Sequence, residues 1–236
     1  MPKGTRGARK RSGALLFAVL PLYACTLLLV AGPLAYMVVL SFLERAPAWN
    51  IVYALSFQNY ANIVMPVYLN TFVQSVRLAL LSTALIALIG YPFGYYMAKL
   101  PPVWRGRVSF LLILPFWTSS LLRLYGWIII LRSGGILDSA LMWAGLIEKP
   151  LRLLYTYPAV VVGMVYVLCP FMIYAVYSSA EKMDWNLVEA ARDLGATATQ
   201  AFWTVTFRLT LPGLLSGVVL TFIPSMGLFF IADILG

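Results

Sequence analysis

Four stretches of this chain, residues 12–43, 78–98, 157–180 and 209–232, contain no charged side chain. Each is long enough for a helix to cross about 30 Å of hydrocarbon, which takes about 20 residues. A fifth stretch, 108–131, is interrupted only by Arg123. Lipid offers no water to a backbone group, so runs of this kind satisfy their own N–H and C=O groups as helices. Barrel strands would alternate with period two over shorter segments, and these runs do not. The fold class expected is all-α, a polytopic transmembrane helical bundle with five spans. The overall balance, 62% hydrophobic against 11% charged residues, lies outside the range of soluble domains.

The net charge of +9 is concentrated at two places: Lys3, Arg6, Arg9, Lys10 and Arg11 before the first run, and Lys99, Arg105 and Arg107 between the second and third. The positive-inside rule puts both on the cytoplasmic side, where they orient the chain and meet anionic lipid. No nucleic-acid partner is expected. Threading from there makes 44–70 and 132–156 external and 181–206 cytoplasmic. The expected organisation is a basic cytoplasmic tail over 1–12, disordered through residue 11, then a first transmembrane helix over 13–43, an external loop over 44–70 and a core over 71–236. Trp49, Tyr53, Tyr60 and Tyr68 in the external loop suit the headgroup layer, and a short amphipathic interfacial helix is expected there. Leu22-Tyr23-Ala24-Cys25 looks like a lipoprotein cleavage site, but apolar sequence continues through Leu40, which favours a retained anchor. Five spans leave the carboxyl end outside without a closing charge cluster, so at least one further span is expected after Gly236.

Covalent chemistry finds little to work with. There is no histidine, and Cys25 and Cys169 fall in different runs, so neither a disulfide framework nor a metal site is expected. No cofactor, no catalytic residue and no nucleotide-binding Gly-Lys-Ser/Thr loop is read from the sequence. Helix-breaking clusters do occur at depth, at 90–94, 114–117, 168–171 and 223–227. Each proline frees a carbonyl that needs another partner or a wet cavity, which fits a bundle lining a pathway; ordinary kinking is the alternative. Between the third and fourth runs, residues 136–147 carry a helical stripe of Leu137, Leu141, Ala144 and Ile147 that is too short to cross. It is expected to lie on the outer face or cap the bundle.

The cytoplasmic loop 181–206 holds the most specific pattern. Asp184 is placed to cap a helix with Leu187, Val188, Ala191 and Leu194 on one face and Glu189, Arg192 and Asp193 on the other. Gly195 supplies a left-handed residue to end it, and Thr197 with Gln200 has the spacing of a capping box for a second helix. The result is a two-helix elbow, with Arg192 one turn from Glu189 to hold its side chain.

The run Glu189-Ala190-Ala191, three residues, Gly195, then Val205 and Leu211-Pro212 resembles the signature loop of the permease subunits of ABC importers. The match lacks one proline, since Arg208 stands where the family pattern has it, near the start of the following helix. Residues 115–118, 122–126 and 226–229 extend the resemblance toward permeases for spermidine and putrescine. The resemblance implies a type I importer fold and an elbow that docks on an ATP-hydrolysing subunit through Glu189, Ala190, Ala191, Arg192, Asp193 and Gly195. It also implies three kinds of partner: two copies of that ATP-binding subunit, a second homologous permease, and an extracytoplasmic substrate-binding protein. The location implied is the bacterial inner membrane, and ATP hydrolysis belongs to the partner.

A polycationic cargo is best held by carboxylates and aromatic faces. The candidates for a pathway are Trp117, Arg123, Tyr125, Tyr166, Phe171, Phe222, Phe229 and Asp233; a core or lipid-facing place is the alternative for the aromatic ones. Arg77 is expected to snorkel at the outer surface, whereas Arg123, nearer mid-span, needs a partner, for example in the companion permease. A cation on the route would repel a polyamine, so another small solute, an amino acid, iron chelate or oxyanion, stays open. A membrane-embedded lipid enzyme is a further alternative, for which the spans lack a paired carboxylate, histidine or cysteine arrangement.

Overall fold

The computed structural model describes residues 6–45 and 51–236, with side chains described over 19–43 and 55–236. The chain divides into two compact units, 1–72 and 73–236. In the first, helix α1 (Arg6–Ser41) passes unbroken through Pro21 and Pro33. Its start corrects the expectation of disorder through residue 11: Arg, Ala and Lys are strong helix formers and extend the helix upstream of the apolar run. Residues 1–5, including Lys3, and 46–50, including Trp49, lie outside the described residues. The segment after α1 holds a two-stranded antiparallel ribbon, β1 (Leu43–Arg45) with β2 (Ile51–Leu55), followed by the short helix α2 (Gln58–Ile63). A short helix is expected in 44–70, and the one present covers only Gln58–Ile63. The Asn59 side-chain amide donates to the Ser41 and Leu43 carbonyls at 3.1 and 2.9 Å, satisfying acceptors where α1 ends.

The second unit is built on α7 (Tyr157–Glu181), whose Val160, Met164, Leu168, Met172 and Val176 are buried. Three helices reach it closely through small residues. On α3 (Pro66–Lys99), a Cβ at Gly94 would stand 2.6 Å from the Ile173 carbonyl oxygen and 3.0 Å from Val176 Cβ. On α10 (Phe207–Gly227), a Cβ at Gly213 would stand 2.8 Å from the Ala175 carbonyl oxygen. In the reverse sense, Gly163 of α7 receives Ile231 and Leu235 of α11 (Phe229–Leu235). Small residues at such crossings let backbones approach where apolar burial gives no advantage over lipid. Gly90 and Gly94 serve this packing, and α3 runs through Pro92 without a break, as α7 does through Pro170. Two of the four expected interruptions are thus absent.

The other two are present. Residues 108–131 do not form one helix. α4 (Pro102–Ile113) passes into a 3-10 turn at Leu114–Trp117, Thr118 is extended, and α5 (Ser120–Leu131) starts afresh. Pro115 removes a ladder donor, and the Thr118 hydroxyl and N–H both return to the Pro115 carbonyl, at 2.8 and 3.2 Å. The run 209–232 is likewise interrupted at Gly227, where Leu228 (φ −81°, ψ 57°) turns the chain into α11. Helices of sufficient length and hydropathy number five among the described residues, at 19–41, 66–99, 120–143, 157–181 and 198–227. The third continues through α6 (Ile136–Trp143) instead of beginning in α4.

Helix α6 is shorter than its stripe, since Ala144 ends it and Gly145 takes φ +69°. Leu137 and Leu141 are half-buried as expected. Between them lies Asp138, 2% exposed, a group the sequence reading passed over. Its carboxylate accepts from the Gly134 N–H at 2.8 Å and the Leu151 N–H at 3.1 Å, tying both flanks of the 132–156 segment together.

Candidate coupling elbow and pathway

The elbow forms as its residues dictate. Asp184 Oδ1 accepts from the Asn186 N–H at 3.0 Å, opening α8 (Asn186–Asp193). At its far end the Gly195 N–H bonds the Arg192 carbonyl at 2.9 Å and the Ala196 N–H bonds the Ala191 carbonyl at 3.0 Å, with Gly195 at φ +90°. This pair of bonds is a Schellman motif, which requires the left-handed residue that glycine adopts without a Cβ clash. Two residues later the capping box closes: the Gln200 N–H donates to Thr197 Oγ1 at 3.3 Å and the Thr197 N–H to Gln200 Oε1 at 2.9 Å. Helix α9 (Ala198–Ala201) leads into a π-helical turn, Phe202–Thr206, and then α10. The departure from the family pattern at Arg208 thus sits just beyond an irregular turn.

No residue of α8 is buried. Val188 and Ala191 are half-covered, but Leu187 is 48% and Leu194 90% exposed, so the expected apolar face splits. Glu189, Ala190, Arg192, Asp193 and Gly195 are exposed. The pairing of Arg192 with Glu189 is not made; among the described residues the ion pair present is Arg105 with Glu181. Two long exposed side chains gain too little in water to be held in one geometry.

Where α8 meets the bundle, the Trp185 ring lies 5.8 Å from Tyr95 of α3, and Lys99 Nζ sits 4.4 Å over Tyr95 and 5.2 Å over Trp185. Arg105 at the start of α4 bonds Glu181 at the end of α7 at 2.5 Å. The Tyr177 hydroxyl, and after it Glu181, raise the Arg105 guanidinium above the ordinary arginine range. The basic 99–105 segment and the elbow therefore occupy the same end of this unit.

The pathway candidates do not converge on one place. Arg123 and Tyr166 line a cavity of about 520 Å³ between α3, α4, α5 and α7, together with Leu85, Ile89, Phe116 and Trp127. The Arg123 guanidinium lies 5.2 Å from the Phe116 ring and 5.9 Å from Tyr166, and its Nε is buried without a hydrogen-bond partner. Phe171 stacks edge-on to Phe116 at 5.6 Å in an adjoining cavity of about 400 Å³. Trp117, Tyr125 and Phe229 are 74%, 58% and 78% exposed, away from these cavities. Phe222 is half-buried and Asp233 is exposed on α11. Arg77 is exposed. Trp127, missed from sequence, packs on Tyr166 at 5.6 Å; its spacing on α5, four residues from Arg123, was the available signal. Cys25 and Cys169 are free.

Comparison with known proteins adds the following. Residues 90–236 match the family described as the binding-protein-dependent transport system inner membrane component. The spermidine/putrescine transport system permease protein PotB of Salmonella typhimurium is 44% identical over 196 residues, covering 83% of this chain and 68% of the relative. PotB of Haemophilus influenzae is 40% identical over 215 residues, covering 91% of this chain and 75% of its own length. Among solved structures, a bacterial ABC transporter that imports the acidic polysaccharide alginate aligns with a TM-score of 0.67 at 18% identity, over 94% of this chain and 76% of that one. A bacterial alginate ABC transporter in complex with alginate pentasaccharide-bound periplasmic protein aligns at 0.63 and 16% identity, over 90% and 72%. At that identity the likeness speaks for the fold.

Proposed function

Because this chain belongs to the family of inner membrane components of binding-protein-dependent transport systems, we propose that it forms half of the translocation route of an ATP-driven importer of spermidine and putrescine. It is a multi-pass inner-membrane protein, and ATP is hydrolysed by a partner subunit. The observation that carries the cargo reading is identity of 40–44% to PotB proteins across 83–91% of the chain. In this reading two ATP-binding subunits, a second homologous permease and an extracytoplasmic binding protein complete the assembly, and the amino terminus is cytoplasmic. The elbow docks on an ATP-binding subunit: Leu194 and Leu187 offer uncovered apolar area, Ala190 and Ala191 admit a close backbone, and Glu189 accepts from an amide or guanidinium of the partner. Closure of the nucleotide subunits then moves α8 and the spans beside it, alternating outward and inward access.

Radiolabelled spermidine uptake by the complex in vesicles, competed by putrescine and not by anions, tests the cargo. Competition by an oxyanion and none by putrescine removes it. Full transport by Glu189→Lys removes the elbow from the mechanism. A second reading, import of an amino acid, iron chelate or oxyanion, is favoured by the Arg123 guanidinium in the apolar cavity, whose Nε has no hydrogen-bond partner. Arg123→Met separates the two, since it spares polyamine uptake and abolishes uptake of an anion bound at that guanidinium.

A further inference from the structure

The elbow needs a physical route into the bundle, and α8 makes few contacts of its own. Its flanks meet α3 through aromatic rings. Trp185, at the entry to α8, and Phe202, at the exit from α9, both rest on Tyr95 of α3, at 5.8 and 5.9 Å. Phe202 also meets Tyr91 at 6.2 Å, edge-on. Tyr91 and Tyr95 are four residues apart, so they stand one turn apart on one face of α3. The Tyr91 hydroxyl is bonded to Thr210 Oγ1 at 2.8 Å, and Thr210 is fully buried on α10. The elbow thus grips α3 from both of its ends.

The second ring sits on an unusual support. Phe202 is the first residue of the π-helical turn Phe202–Thr206, which separates α9 from α10. A π turn carries one residue more than an α turn and marks a break in the α ladder where a helix bends. Further along α3, Leu85 and Ile89 line the cavity that holds Arg123. Pro92 removes one ladder bond between Tyr95 and Ile89, but α3 stays continuous across it, so displacement at Tyr95 is passed along the helix toward Ile89 and Leu85.

We propose that the rings of Tyr91, Tyr95, Trp185 and Phe202 are the transmission that converts elbow movement into displacement of α3, with the π turn as its pivot, so that nucleotide-driven motion reshapes the Arg123 cavity. Tyr95 is the positioning residue at the centre, since both elbow rings bear on it and it is only 9% exposed. This inference rests on the coupling reading above. It adds what that reading leaves open, namely which helix is pushed and through which side chains.

The test uses the complete transporter in proteoliposomes, with spermidine imported per ATP hydrolysed as the readout. Tyr95→Leu keeps apolar volume but loses the stiff ring; the expected result is binding-protein-stimulated ATP hydrolysis near the parent rate with import per ATP lowered about fivefold or more, in the range seen for residues that carry coupling. Tyr95→Phe keeps the ring and restores the ratio. A merely structural cluster would lower assembly and leave the ratio of assembled complexes untouched. The inference is overturned if assembled Tyr95→Leu imports as much per ATP as the parent, or if Tyr95→Phe is as impaired as Tyr95→Leu. Trp185→Leu and Phe202→Leu change the same contacts from the elbow side; failure of all three leucine variants to assemble also overturns it, since the rings would then serve folding alone. Absence of any ATP-dependent import by the parent complex strikes the coupling reading instead.

Discussion

Replacing Gly94 by alanine adds one methyl group at the tightest point between α3 and α7. That carbon would lie 2.6 Å from the Ile173 carbonyl oxygen, 3.0 Å from Val176 Cβ and 3.2 Å from the Tyr177 nitrogen. Two of the three neighbours are backbone, so no rotamer change relieves the clash, and the oxygen is short of ordinary 3.4 Å contact by 0.8 Å. The helices must part by about that distance, and a gap of about 0.5–1 Å forfeits a quarter to a half of each contact it opens. The cost of such overpacking is about 1–3 kcal/mol. Alanine also improves helix propensity by up to about 1 kcal/mol, which has to be subtracted. Gly106→Ala provides the reference, because nothing lies within 4 Å of a Cβ there and only the propensity gain remains. The propensity gain is common to both, so the two variants should differ by the overpacking cost alone, about 2–12 °C in apparent Tm with Gly94→Ala the lower, at about 2–4 °C per kcal/mol for a chain of this size. Thermal unfolding of both purified variants in one detergent measures it. Equal Tm values would refute the argument that α3 is held to α7 by backbone approach.

Three further outcomes follow from local geometry. Asp138→Ala removes the acceptor of the Gly134 and Leu151 N–H groups, and leaving buried donors unpaired costs about 1–3 kcal/mol each, so proteolysis within 132–156 should accelerate, with Asp138→Asn intermediate. Thr197→Ala opens the capping box at a cost of about 1 kcal/mol and should raise hydrogen exchange at residues 198–201 while leaving 186–193 protected; uniform exchange across both segments contradicts separate capping. Gly195→Ala forces a Cβ into φ +90°, a penalty of about 1–2 kcal/mol, and should expose the Arg192 peptide bond to trypsin more than Gly106→Ala exposes Arg105 or Arg107.

Much of this architecture is legible in the residues, because hydrophobic length and cap chemistry are local. The five apolar runs, the end of α8 at Gly195 and the Thr197–Gln200 box follow from neighbours within a few positions. What escapes is decided across the bundle. Four proline or glycine clusters look alike in one dimension, yet Pro115 ends a helix while Pro92 and Pro170 do not. The contacts opposite Gly90 and Gly94 show those residues serving as crossings, a distinction no spacing rule contains. Asp138 escapes because a lone carboxylate in an external segment reads as solvated; its partners are the turn before the helix and a backbone group thirteen residues on. Of the pathway candidates, Arg123 and Tyr166 share a cavity because they face each other across α5 and α7, and the exposed Trp117, Tyr125 and Phe229 show that aromatic type alone does not point a ring inward.

The back-to-back stop and start around Gly195 and Thr197 has a bearing on assembly. The Gly195, Ala196, Thr197 and Gln200 N–H groups at that bend are all bonded from within it, so its shape asks little of a neighbour. A hinge region that is unordered until contact would surrender about 1–2 kcal/mol of backbone freedom per residue on docking. This one has surrendered it already, during folding, so a subunit that docked there as proposed would meet a fixed template, and neither its arrival nor its departure would have to build or dissolve structure.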